Sequence, residues 1–239
     1  MTATMPDWRP REVRGTDGWR VHVDVAPADP PRAGPGPAAL LVPASAHERD
    51  AFGVQLVGLL TGRGFTVAST DIRGRGDSRA PRSFEAFPPG QLTNVRGDVR
   101  AALDLLAADP GVDPARVVVF AEQDTADAAV TAAMADERVC ALVLISARLA
   151  PDTVDAIGRR RPPVCGLVAK EDPSGMRSVT AAYRVSSAAR SRLRVLGGVG
   201  AGTTMFAAWQ YLHPDRPTLE QWLVAWCDAA TAPDEAIRR

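Results

Sequence analysis

Residues 117–133 read VVVFAEQDTADAAVTAA. Val117, Val118, Val119 and Phe120 make a continuous apolar, mostly β-branched run, the pattern of a strand buried on both faces. Small residues at helical spacing follow from Thr125. Between the two the chain must reverse within Ala121-Glu122-Gln123-Asp124-Thr125. A strand, a sharp turn and a helix therefore stand in one stretch.

The same alternation continues in both directions. Upstream, 8–14 and 19–26 read as strands of a hairpin around Thr16-Asp17-Gly18. The Pro/Gly-rich stretch 27–37 reads as a loop, 38–42 as a buried strand, 50–60 as a helix ended by glycines, and 65–70 as a strand. A long loop over 72–90 precedes a helix over 92–108, which carries Val95, Val99, Ala102, Leu103 and Leu106 on one face. Residues 110–114 break the chain before the central strand. Downstream, strands at 139–146, 164–169 and 193–196 alternate with helices at 151–159, 178–187, 203–212 and 218–229. This order predicts an α/β domain with a mostly parallel central sheet, helices on both faces and an N-terminal antiparallel hairpin. A single domain is expected over 1–239, with 1–7 and 230–239 as flexible ends. The short gap between 146 and 164 leaves no room for a lid domain, so any pocket should be open.

Bulk properties narrow the function classes. The chain has 239 residues, 46% hydrophobic content and a formal charge of zero, enough for one large core and without a nucleic-acid footprint. The longest apolar run, 139–145, is too short to span a bilayer. MTATMPDWRPREVR lacks the apolar segment of a signal peptide, so a cytoplasmic location is expected. Cys140, Cys165 and Cys227 lie in apolar contexts without metal-ligand spacing and read as buried reduced thiols. No metal cluster, dinucleotide fingerprint or phosphate loop is present, so no cofactor and no metal are expected.

Two further stretches carry a resemblance. DIRGRGDS at 71–78 and DVRAALDLLAADPGVDPARVVVF at 98–120, taken with the strand–turn–helix at 117–133, resemble the α/β-hydrolase superfamily, nearest to its lidless dienelactone-hydrolase and esterase-like branch. The likeness covers about residues 20–230. It implies an α/β-hydrolase fold with a nucleophile on a G-x-S-x-G elbow. In this chain the elbow position is Gln123, whose amide cannot form an acyl-enzyme. The resemblance places the oxyanion donors at the N–H groups of Ser45 and Asp124, within Pro43-Ala44-Ser45-Ala46-His47 and the elbow. A carboxylate on Asp124 would oppose a developing oxyanion. The acid position maps to Asp172 in AKEDP, with Glu171 beside it. The histidine position in the loop 197–203, GGVGAGT, maps to Ala201. Two of three triad members are therefore expected to be missing.

Other residues offer candidates for a replacement chemistry. Shifting the elbow by one makes Asp124 a nucleophile, as in haloalkane dehalogenases and epoxide hydrolases, with His47 as base. His22 reads as a satisfied strand residue and His213 as a helix-end residue. Glu122, Asp124 and Asp127 either complement the dipole of the following helix or form a rebuilt polar floor. Arg73 reads as a loop brace, and Arg159–Arg161 as cations closing a helix. Trp209, Tyr211, Trp222 and Trp226 read as packing residues or, alternatively, as an interface for a homo-oligomer.

Three functional readings follow. In the first, a small-molecule ligand is bound or transformed non-hydrolytically at Ser45, Ala46, His47, Gln123 and Asp124. In the second, the chain is a pseudoenzyme acting as a scaffold or regulatory partner. In the third, it is an unusual hydrolase using Asp124 with His47. Neither nucleic acid nor membrane is an expected partner.

Overall fold

A computed structural model of the chain describes residues 6–87 and 90–232. Eight strands form one sheet: β1 (Arg9–Arg14), β2 (Arg20–Ala26), β3 (Gly36–Val42), β4 (Thr66–Thr70), β5 (Val112–Glu122), β6 (Val139–Ile145), β7 (Val164–Ala169) and β8 (Arg192–Leu196). Their order is β1-β2-β4-β3-β5-β6-β7-β8. β2 runs antiparallel to both β1 and β4, and every other pairing is parallel. The α/β architecture expected from the alternation, hairpin included, is the one observed.

Seven helices cover the sheet: α1 (Gly53–Thr61), α2 (Val95–Ala107), α3 (Ala126–Met134), α4 (Pro151–Arg160), α5 (Pro173–Ser186), α6 (Thr204–Leu212) and α7 (Leu219–Thr231). Strand periodicity divides the core between two layers. Val117, Val119 and Ala121 pack on one face with residues of α2, α3 and α5. Val118 and Phe120 pack on the other with residues of α1, α6 and α7. Glu122 has the parity of Val118 and Phe120, so a carboxylate ends the apolar series on the α1/α6/α7 side. Between β6 and β7 there is α4 and no inserted domain. Among the described residues no helix is long and apolar enough to cross a membrane.

Most boundaries shift by a few residues from the sequence reading, and two of the larger shifts have a local reason. β5 begins at Val112 rather than 117 because pairing with β3 jumps from Gly36↔Val112 to Ala38↔Val117. Pro114 sits in that irregularity, where no ladder N–H is required. α5 begins at Pro173 rather than 178, with Asp172 as its N-cap accepting from Gly175 N at 3.0 Å; proline with its fixed φ suits the first helical position. Of the ends expected to be flexible, 1–5 and 233–239 lie outside the described residues, whereas Ala230 and Thr231 belong to α7.

The loop following β4 is braced by two arginine-centred clusters. The Arg73 side chain, 1% exposed, donates to both Asp98 oxygens (2.8 and 2.6 Å) and to Asp17 (2.6 and 3.1 Å). Its guanidinium lies 5.3 Å from the Trp19 ring centroid. This ties the loop to the hairpin turn and to α2, as expected of a brace. Arg49 meanwhile reaches Asp24, Asp71 and Asp77, and the fully buried Asp71 also accepts from the backbone N–H groups of Arg49 and Asp77.

Candidate active-site corner

At the C-terminal end of β5 the chain turns through Gln123, which has φ +45°. A non-glycine residue in the left-handed region costs about 1 kcal/mol or more and persists where the surroundings impose it. Here Gln123 N donates to Ile145 O at 3.1 Å, and Gln123 O accepts from Arg148 N at 2.9 Å. The Thr125 hydroxyl lies 2.6 Å from Pro43 O and 2.9 Å from Glu122 O, pinning the turn to the loop after β3. The tight strand-to-helix bend read from the sequence is thus present, with Gln123 at its apex. Neither Asp124 nor Thr125 supplies a side-chain cap to α3.

Both carboxylates flanking Gln123 are turned onto backbone donors. Asp124 accepts from Ser45 N at 3.0 Å, and its other oxygen accepts from the Ser45 hydroxyl. Glu122, fully buried, accepts from Ala44 N at 3.0 Å and from Thr203 N at 2.6 Å, and its Oε2 is 3.2 Å from His47 Nδ1. Arg75 holds the Ser45 carbonyl from the far side at 2.6 Å. Two acids therefore join three segments: the loop after β3, the bend after β5 and the loop before α6. Hydrogen bonds to an ionised acceptor are the strong kind, roughly 1.5–3 kcal/mol each.

The remaining predicted residues fall around this joint. Gly202, next to Ala201, lies against the bend: a Cβ there would overlap the Gln123 amide and the Glu122 carboxylate, and its φ is +67°. Its N–H donates to the Ser146 hydroxyl at 3.0 Å. Ala201 contributes its carbonyl to the Thr204 hydroxyl at 2.6 Å. Glu171 reaches the same glycine-rich loop, accepting from Gly198 N at 3.0 Å. Asp172 instead caps α5 through one oxygen; its buried Oδ2 has no partner. Ala46 is exposed, and His47 faces Glu122. His213 follows α6 with its ring 4.2 Å from that of Trp209.

Sequence reasoning missed Ala44, Thr203, Ser146 and Arg75. Three of these act through backbone atoms or a hydroxyl on a partner more than 50 residues away, which leaves no local signal. Arg75 was visible only as a member of DIRGRGDS.

Five clefts of about 220 to 810 Å³ open on the surface of the described residues, and none of these five has Gln123, Asp124 or Ser45 in its wall. The largest begins beside the bend, at Arg148, and runs between α4 and α5. Among the described residues no group of three or more His, Cys, Asp or Glu is placed to hold a metal ion.

No protein-family model matches this sequence, and no curated protein matches it. Solved structures do. The chain is similar to the Pyrococcus furiosus esterase Pf2001 (TM-score 0.72, 12% identity, 95% of this chain and 92% of that chain). It is similar to the thermostable carboxylesterase EstE1 from a metagenomic library (TM-score 0.68, 17% identity, 98% and 92%). It is also similar to a dienelactone hydrolase-like promiscuous phosphotriesterase, P91, from metagenomic libraries (TM-score 0.67, 20% identity, 93% and 97%).

Proposed function

We propose, from the premise that this chain has the α/β-hydrolase fold, that it works by binding a partner and not by acyl transfer, its catalytic corner having become a structural joint. The observation that carries this reading is the hydrogen bond from Ser45 N to the Asp124 carboxylate. Ser45 N–H is one of the two donors that an acyl-transfer site of this fold would aim at an oxyanion, and a negative charge belonging to the protein already uses it. Gln123 supplies no nucleophile. His47 is directed at Glu122, which leaves an Asp124 nucleophile without a base. Exposed Tyr211 and Leu212 on α6 offer a contact surface for a protein partner.

A second reading keeps a small organic ligand. The groove of about 810 Å³ between α4 and α5 has apolar walls from Leu149, Pro151 and Val154 and carries the exposed guanidiniums of Arg148 and Arg177. Asp127 and Asp155 stand in the same wall, Asp127 already accepting from Ala150 N and the Thr153 hydroxyl; such a lining suits a molecule with an apolar body and a polar end.

Labelling with a fluorophosphonate tests the main reading. Wild type should not label, and Gln123→Ser alone should not restore labelling, because Asp124 still occupies Ser45 N–H and no imidazole stands at Ala201. Labelling or ester turnover by wild type, abolished in Gln123→Ala, would overturn it. A thermal-shift screen with esters, lactones and carboxylic acids tests the second reading; an Arg177→Ala variant should lose any shift that acids produce.

A further inference from the structure

A second cleft, of about 520 Å³, lies between the start of α1, α6 and the start of α7, on the opposite side of the bend from the α4/α5 groove. Its chemistry is lopsided. Glu220 is the one charged side chain in its wall, and Phe52, Phe206 and Tyr211 supply aromatic surface. Among the described residues, three buried side-chain atoms lack a hydrogen-bond partner, and two of them belong to this wall: Glu220 Oε2 and Gln210 Oε1. Glu220 is 8% exposed. The Gln210 amide nitrogen donates to Pro214 O at 3.2 Å, which fixes the amide so that its oxygen is the free end. Buried acceptors without donors are costly, and buried acids are found paired or neutralised. Both oxygens are shielded from solvent, yet both belong to side chains of one cleft wall that holds no cation, and a positively charged group carrying N–H donors would satisfy the two together.

We propose that this cleft binds a small organic cation, a primary alkylammonium. The ammonium gives Glu220 its counter-charge and donates to both Glu220 and Gln210, a small turn of the two side chains bringing the shielded oxygens to it. The alkyl part lies on Phe206 and Ala207, and Tyr211, 86% exposed on the rim, adds its ring face to the cation. The cleft shares Thr203 with the joint at the bend, since Thr203 lines the wall while its N–H holds Glu122. The assignment does not depend on whether the bend is catalytic.

The test is titration of the full chain with n-butylammonium chloride at constant ionic strength, followed by calorimetry and by the backbone amide resonances of Ala207, Gln210 and Tyr211. Saturable binding is expected, with shifts confined to α6 and the first turn of α7, and n-butanol should not bind. Glu220→Gln should weaken binding about tenfold or more. Tyr211→Ala, a change at an exposed position that leaves the fold intact, should weaken it by a smaller factor. Equal binding of n-butanol, resonance shifts elsewhere in the molecule, unaltered affinity in Glu220→Gln, or no saturable binding to wild type would each overturn the assignment.

Discussion

Glu122→Gln separates a structural joint from a retained catalytic acid. The side chain is fully buried and keeps its shape in the variant, so packing is conserved. Its acceptors change. Glu122 Oε2 takes Ala44 N and faces His47, while Oε1 takes Thr203 N. A glutamine has one acceptor and one NH₂ end. If its oxygen faces Ala44, the NH₂ meets Thr203 N–H; if it faces Thr203, the NH₂ meets Ala44 N–H. Either way one buried N–H is orphaned, at about 1–3 kcal/mol, and the surviving bonds lose charge assistance worth about 1 kcal/mol. The expected loss is about 2–4 kcal/mol. In a chain of this size that lowers Tm by about 4–16 °C. Calorimetry with wild type at the same pH measures it, and hydrogen exchange should show Ala44 and Thr203 amides losing protection together. An acid held in place for catalysis at the expense of stability behaves in the opposite way, and neutralising it raises Tm. A Glu122→Gln protein as stable as wild type, or more so, would refute the joint.

Other consequences are open to direct measurement. Arg73→Ala should destabilise the chain by about 3–5 kcal/mol in urea unfolding, because it strands the buried Asp98; Asp17→Ala, at the half-exposed end of the same cluster, should cost much less. Burial pushes the Glu220 carboxyl above its ordinary range. A folded-state value raised above the unfolded one means that the folded chain holds the proton longer, so Glu220's contribution to stability is full below the unfolded value and is lost as pH rises through the folded one. Comparing wild type with Glu220→Gln across that window should show the variant gaining relative stability as pH rises, and a constant difference would contradict this. Burial also pushes the Cys140 thiol up to about 11, and pushes Cys165 and Cys227 well above the ordinary thiol range. At pH 8 the native protein should react negligibly with a thiolate-specific reagent, and all three cysteines should react on unfolding.

Much of the architecture was legible in the sequence because it is written in short-range signals. The β-branched run before the small-residue helix marks the bend at Gln123, and the regular exchange of strand and helix demands a covered parallel sheet. Even the absence of a lid follows from counting residues between 146 and 164. The failures were local in a different sense: Pro114 looks like a strand breaker until a register jump leaves it without a ladder partner. Pro173 looks like part of a loop until it is recognised as a first helical residue, which makes Asp172 the cap of α5.

What Glu122 and Asp124 do was decided by tertiary structure. Their donors are 78 to 81 residues away, on loops that meet only because β3 and β5 are neighbours and because α6 returns to the same edge of the sheet. The chain alone says which residue types stand at the bend, since backbone reversal there is fixed by nearest neighbours. Whether those acids face a substrate or one another's loops depends on strand order and register, which no short window contains. The same holds for Gln210 and Glu220, whose unpaired oxygens become a feature only once α6 and α7 are packed together.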